Sequence, residues 1–149
     1  MLACLLAAAL GCARRTVEGR WHLEKDASNA PQGFNLPGES FLEMKVDDEA
    51  VSIRDFVSSP EVGAKTLLER RYPFGQELAD EGPDQRVLYT SAERMDDHTV
   101  RIRERIVTPA DENREASEKV YTVTYAVAFG GMKMTATDEE GHVSSYERQ

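Results

Sequence analysis

The sequence predicts an all-β fold, a single antiparallel meander closed into a barrel of about eight or nine strands. Apolar and polar residues alternate with a period of two through most of the chain, and the alternating runs are joined by short links rich in Gly, Pro, Asn and Asp. Hardly any stretch carries apolar residues at helical spacing. A β-sandwich of two sheets fits the same pattern and is the alternative architecture.

The first strand is Thr16 to Leu23, where Val17, Gly19, Trp21 and Leu23 face one way and Glu18, Arg20 and His22 the other. Glu24 to Glu39 follows as a loop: Asn29-Ala30-Pro31-Gln32-Gly33 and Leu36-Pro37-Gly38 are turn chemistry, with Phe34 and Leu36 apolar enough to tuck over an opening. Phe41 to Val46 and Ala50 to Val57 then read as a hairpin across the acidic turn Asp47-Asp48-Glu49, and Ser58-Ser59-Pro60 ends it. Lys65 to Tyr72 is a weaker strand, for which a helical turn is the alternative. Tyr72-Pro73-Phe74-Gly75 and Glu81-Gly82-Pro83-Asp84 bracket an exposed connection.

The second half alternates more cleanly. Val87 to Ala92 is a short strand, Met95 to His98 a turn, and Thr99 to Val107 a strand with Val100, Ile102 and Ile106 opposite Arg101, Arg103 and Arg105. Thr108 to Lys119 is a charged, solvated loop. Lys119 to Phe129 is the strongest strand, with Tyr121, Val123, Tyr125, Val127 and Phe129 on one face. Gly130-Gly131 turns the chain, Met132, Met134 and Ala136 return, Asp138 to Gly141 turns again, and Val143 to Glu147 is the last strand.

At 149 residues the chain is one domain's worth and long enough to bury a core unaided. Its net charge of -9 argues against general affinity for nucleic acid, which needs a cationic surface, and an anionic membrane surface would repel it. Met1 to Gly11 is uncharged and nearly all Leu and Ala, too short for the ~20 apolar residues that cross a bilayer but long enough for the apolar part of a secretory signal. Ala9-Leu10-Gly11-Cys12 resembles a bacterial lipobox, which implies cleavage before Cys12 and lipidation of its thiol. The expected division is a signal at 1–11, a short tether at 12–15 and the barrel at 16–149. An ordinary secretory signal, giving a secreted or periplasmic protein, is the alternative. Beyond Cys12 the chain has no cysteine, so the mature domain makes no disulfide and has no thiolate chemistry.

The motif Gly19-Arg20-Trp21-His22-Leu23 is similar to the Gly-x-Trp-x-Leu opening of small bacterial lipocalin-like, calycin-type domains that follow a secretory or lipoprotein signal. Ser28, Tyr72-Pro73-Phe74-Gly75, Arg94 to Val100, Lys133 to Thr137 and Tyr146-Glu147 extend the resemblance over most of the mature chain. It implies a barrel closed at one end by Trp21, with Arg148 the candidate to lie over it, and a pocket for a small hydrophobic ligand. A barrel of about eight strands encloses either a filled core or one small ligand, and the residues leave both open.

The face of Tyr121, Tyr125 and Phe129, with Met132 and Met134 opposite, offers a pocket wall, though stripes of this kind are the ordinary way a sheet buries a packed core. Asp55 and Glu104 interrupt the otherwise apolar faces Val51-Ile53-Asp55-Val57 and Val100-Ile102-Glu104-Ile106. A carboxylate facing inward is costly unless paired, so each is a candidate pocket or acid–base residue, the alternative being a strand end where it reaches water. The arginine ladder offers an anionic-partner site or an outer face paired across the sheet. The three histidines are scattered and lack metal-ligand spacing, no serine sits in a nucleophile elbow, and no phosphate loop appears. The expectation is therefore a non-enzymatic envelope lipoprotein without cofactor or metal, periplasm-facing and at the outer membrane. It would carry a small hydrophobic ligand in a wall that includes Tyr121, Tyr125, Phe129, Met134, Asp55 and Glu104. The alternative is a filled barrel that binds an envelope protein partner through its loops.

Overall fold

The computed structural model describes residues 16–29, 38–61 and 63–149, so the proposed signal, Cys12 and the centre of the first loop lie outside it. Ten strands form one sheet: β1 (Gly19–Leu23), β2 (Glu39–Val46), β3 (Ala50–Ser59), β4 (Gly63–Pro73), β5 (Leu78–Glu81), β6 (Val87–Asp96), β7 (Thr99–Thr108), β8 (Ser117–Val127), β9 (Lys133–Asp138) and β10 (Val143–Arg148). Their order is β4-β3-β2-β1-β10-β9-β8-β7-β6-β5, so the first strand pairs with the last and the meander curls into a nearly closed barrel rather than a sandwich. The count exceeds the expected eight or nine by β5, a four-residue edge strand exposed along its whole length.

Aspartates set the tight turns. Asp47 Oδ1 accepts the amides of Glu49 and Ala50 at 2.8 and 2.7 Å, Asp96 Oδ1 that of His98 at 2.7 Å, and Asp138 Oδ1 those of Glu140 and His142 at 2.9 Å each. Each side chain supplies the acceptor that the reversing backbone lacks. A single register runs through two of the long hairpins, from Glu39↔Ser58 to Val46↔Val51 in β2–β3 and from Thr99↔Ala126 to Thr108↔Ser117 in β7–β8. Between β3 and β4 the register slips after Asp55, which pairs with Leu68 while Phe56 pairs with Thr66, so Leu67 is the extra residue of a bulge.

Ladder pairing stops between β4 and β5, and the barrel is drawn together there by other means. Phe74 bridges to Ala92, and the Thr90 hydroxyl donates to the Arg71 carbonyl at 3.1 Å. Side chains inside the barrel add a further link across this seam, described below.

The end of the barrel where β1 begins is plugged. Trp21 is fully buried and its indole N–H donates to the Val17 carbonyl at 2.8 Å. Directly opposite it in register, Arg148 lays its guanidinium 4.1 Å from the ring centroid. The same group donates to the carbonyls of Gly131, Glu18 and Thr16 at 2.6, 2.8 and 2.7 Å, so all its nitrogens are used and a cation is tolerated under cover. Gly19 is part of the device: its φ is +137°, and a Cβ there would stand 2.7 Å from an Arg148 nitrogen. Leu42, Met44, Val51, Ile53, Val100, Ile102, Val127 and Met134 fill the space above this plug.

Candidate functional site

On β7 and β8 the inward positions lose their cover on passing from the plugged end to the other. On β7, Val100 and Ile102 are buried, then Glu104 and Ile106 half-buried; on β3, Val51 and Ile53 are buried, Asp55 is half-buried and Val57 is buried again. On β8, Tyr125 is buried, Val123 half-buried and Tyr121 47% exposed. The core therefore fills only part of the barrel, and the remainder opens at the mouth on the side of the first loop.

A cavity of about 370 Å³ lies at this mouth. Leu23 of β1, Ser40 and Phe41 of β2, Asp55 and Phe56 of β3, Leu67 and Leu68 of β4 and Tyr146 of β10 line it. Its walls are mostly apolar with a few polar groups, as in sites for small molecules, and its size falls in their range. The bulge matters here, because the extra residue places Leu67 and Leu68 together on the lining. The loop that follows β1 is strapped to β10: Glu24 N–H donates to the Ser145 carbonyl, Asn29 N–H to that of Val143, and Ser145 N–H to the Ser28 hydroxyl. Ser28, singled out by the resemblance, thus fixes where this loop leaves the mouth.

The structure gives the two inward carboxylates different surroundings. Glu104 accepts from Arg70 at 2.6 Å and from the Tyr72 hydroxyl at 2.7 Å on the same oxygen, Oε1. This trio joins β7 to β4 across the seam and leaves a neutral ion pair facing the interior. Asp55 has no hydrogen-bond or ion-pair partner among the described residues. It pairs in register with Leu42 on one side and Leu68 on the other. Burial alone pushes its carboxyl up to about 6 from an ordinary value of 3.8. Burial also raises the hydroxyls of Tyr72, Tyr125 and Tyr146, so all three stay protonated at neutral pH, and the field of Asp55 adds to the rise at Tyr125 and Tyr146.

Of the residues expected at the wall, Tyr125 and Met134 are buried inside, and Tyr121 stands at the rim. Phe129 does not belong to the wall: the strand ends at Val127, and Phe129, on the turn, is 90% exposed. Met132 is likewise half-exposed before β9 begins. Among the residues lining the cavity itself, Asp55 alone was marked by the sequence; Leu23, Phe41, Phe56, Leu67, Leu68 and Tyr146 were not. Arg70 and Tyr72, the partners of Glu104, were not read as site residues either, although Leu68, Arg70 and Tyr72 share one face at the period of a strand.

The outer arginine ladder is paired across the sheet. Arg101 lies 3.7 Å from Glu93, Arg103 3.7 Å from Glu77, and Arg105 2.6 Å from Glu77 and 3.8 Å from Glu118. His142 is bound to Asp138 at 2.9 Å and His22 packs on Phe41, and no metal-binding group of residues occurs among those described.

No family model and no curated protein matches the sequence. Solved structures do match its fold, a nearly closed antiparallel barrel. The crystal structure of the fluorescent protein UnaG superposes with a TM-score of 0.54 at 14% identity, covering 89% of this chain and 97% of that one. A Schistosoma mansoni fatty acid binding protein in complex with arachidonic acid gives 0.53 at 14% identity, covering 92% and 98%.

Proposed function

We propose that this chain is a carrier or binding protein for a small hydrophobic molecule, which it holds in the unplugged half of the barrel. The observation that carries the reading is the mouth cavity: Trp21 is fully buried at the plugged end, burial falls away toward the mouth on β7 and β8, and an apolar cavity of about 370 Å³ remains there. A barrel whose only task was to be stable would gain by filling that space. The likeness to a fatty acid binding protein in complex with arachidonic acid supports the same use of the fold. The proposal extends to the setting read from the N-terminus, a periplasm-facing lipoprotein held to the bacterial envelope through Cys12, and to a role without catalysis.

Native mass spectrometry of the secreted domain, purified from the envelope fraction and again after incubation with envelope lipid extract, tests the reading. The expected result is an added mass that disappears on unfolding and is absent in Leu68→Trp, where the indole occupies the cavity. A clean apo mass in both preparations would refute it. Cys12→Ser should move the full-length protein from the membrane to the soluble fraction; retention on the membrane would refute the anchor.

A further inference from the structure

The chemistry of the cavity narrows the ligand class, given the carrier reading above. We infer that the site selects an amine-headed, cationic amphiphile, whose ammonium pairs with Asp55 while its apolar tail lies along Leu23, Leu68 and the neighbouring rings.

Three observations converge on this. First, Asp55 faces the cavity and has no partner among the described residues, although a carboxylate enclosed by apolar side chains is costly unless something pairs with it. Second, among the described residues the lining contains no Lys, Arg or His. The inward cations lie elsewhere and are committed: Arg70 is bound to Glu104, and Arg148 is held on Trp21 by three carbonyls. A carboxylate head would meet an acid inside the cavity, while the nearest bases, Arg20 and Arg54, are stacked on the Phe41 and Phe56 rings outside the lining. Third, the lining offers a phenol oxygen beside the acid, that of Tyr146, which can accept a hydrogen bond from an ammonium. The Phe41 and Phe56 rings at the edge of the lining already carry the guanidinium groups of Arg20, at 4.6 and 4.9 Å, and at Phe56 that of Arg54, at 5.2 Å, and add apolar surface for the tail.

The alternatives fare worse on the same geometry. An alcohol head would donate one hydrogen bond to Asp55 but leave its charge uncompensated. A fatty acid would have to bind with its head in water outside the mouth, or bury two carboxyls together at the cost of protonating one.

Isothermal titration with dodecylamine, dodecan-1-ol and dodecanoate, each below its micellar concentration and in about 150 mM salt to screen the acidic surface, tests the inference. The wild-type domain should bind the amine about tenfold or more tighter than the carboxylate, with the alcohol between, a ratio typical of one charge-assisted contact. In Asp55→Asn the gap between amine and carboxylate should collapse to about threefold or less. Dodecanoate binding as tightly as dodecylamine would overturn the inference and leave the carrier reading standing. An amine preference that survives in Asp55→Asn would also overturn it, because the preference would then come from the surface charge of the whole chain, which one substitution hardly changes. Failure of all three probes to bind would sink both readings together.

Discussion

Asp55→Asn should make the protein more stable at neutral and alkaline pH, and the gain should fade as pH falls. Asn keeps the shape of the side chain and removes the charge that the cavity leaves uncompensated. The carboxyl titrates at about 6 in the folded chain against 3.8 ordinarily, roughly two pH units of difference, each worth about 1.4 kcal/mol. The folded pKa is the higher one, so the folded chain holds its proton more tightly than the unfolded chain does. The stability associated with that proton is fully present below about pH 3.8 and is lost as pH rises through about 6. At about pH 8 the ionised acid therefore costs wild type up to about 3 kcal/mol; water reaching Asp55 through the cavity lowers that ceiling. Urea denaturation of both proteins, followed by Trp21 fluorescence, measures the gap directly. It should reach about 1.5 to 3 kcal/mol at pH 8, shrink to about half at pH 5, and nearly vanish by pH 3.5. Comparing the two proteins at each pH cancels the titration of Asp47, Asp96 and Asp138, whose folded-state values are lowered and whose contribution runs the other way. A gap below about 0.5 kcal/mol at pH 8, or one that does not change with pH, would refute the claim that an unpaired charge is buried here.

Two further substitutions probe the parts of the barrel that position the cavity. Arg148→Met keeps the apolar stem but removes three hydrogen bonds to carbonyls and the cation over Trp21, and should cost about 2 to 4 kcal/mol with a red shift of tryptophan emission. An unchanged emission maximum and stability would show that the plug does not depend on the guanidinium. Tyr72→Phe removes one donor from Glu104 while Arg70 still pairs with it, so a loss of about 1 to 2 kcal/mol is expected, with amphiphile binding unchanged in titration calorimetry. A loss of binding would mean that the seam trio belongs to the ligand site.

Much of the fold was legible because each long strand buries one face and exposes the other, which writes period two into the sequence. The hairpin across Asp47-Asp48-Glu49 and the strand with Val100, Ile102 and Ile106 opposite three arginines appear where the alternation placed them. β5 was not legible for the same physical reason. Leu78, Ala79, Asp80 and Glu81 form an edge strand exposed on both faces, so no burial pattern marks it. Phe129 shows the opposite error: it continues the alternation of β8 arithmetically, but the backbone turns at Ala128 to Gly131 before the residue can face inward. The plug was anticipated through the resemblance carried by Gly19 to Leu23, which implies a tryptophan closing one end of the barrel under an arginine of the last strand.

The cavity was less legible because its character depends on pairings between distant strands. Asp55 and Glu104 gave the same signal, an acid breaking an apolar face, and nothing local distinguishes them. What separates them is the register of β4, which alternates Leu68, Arg70 and Tyr72 along its inner face. Arg70 and Tyr72 fall within reach of Glu104, 34 and 32 residues away, whereas the bulge sets Leu68 beside Asp55. Moving that register by two residues would place Arg70 opposite Asp55 and exchange the fates of the two acids. The unpaired acid is thus a consequence of strand register. It falls in the half of the barrel where the core gives out, and there a bound cation can neutralise it without displacing any protein contact.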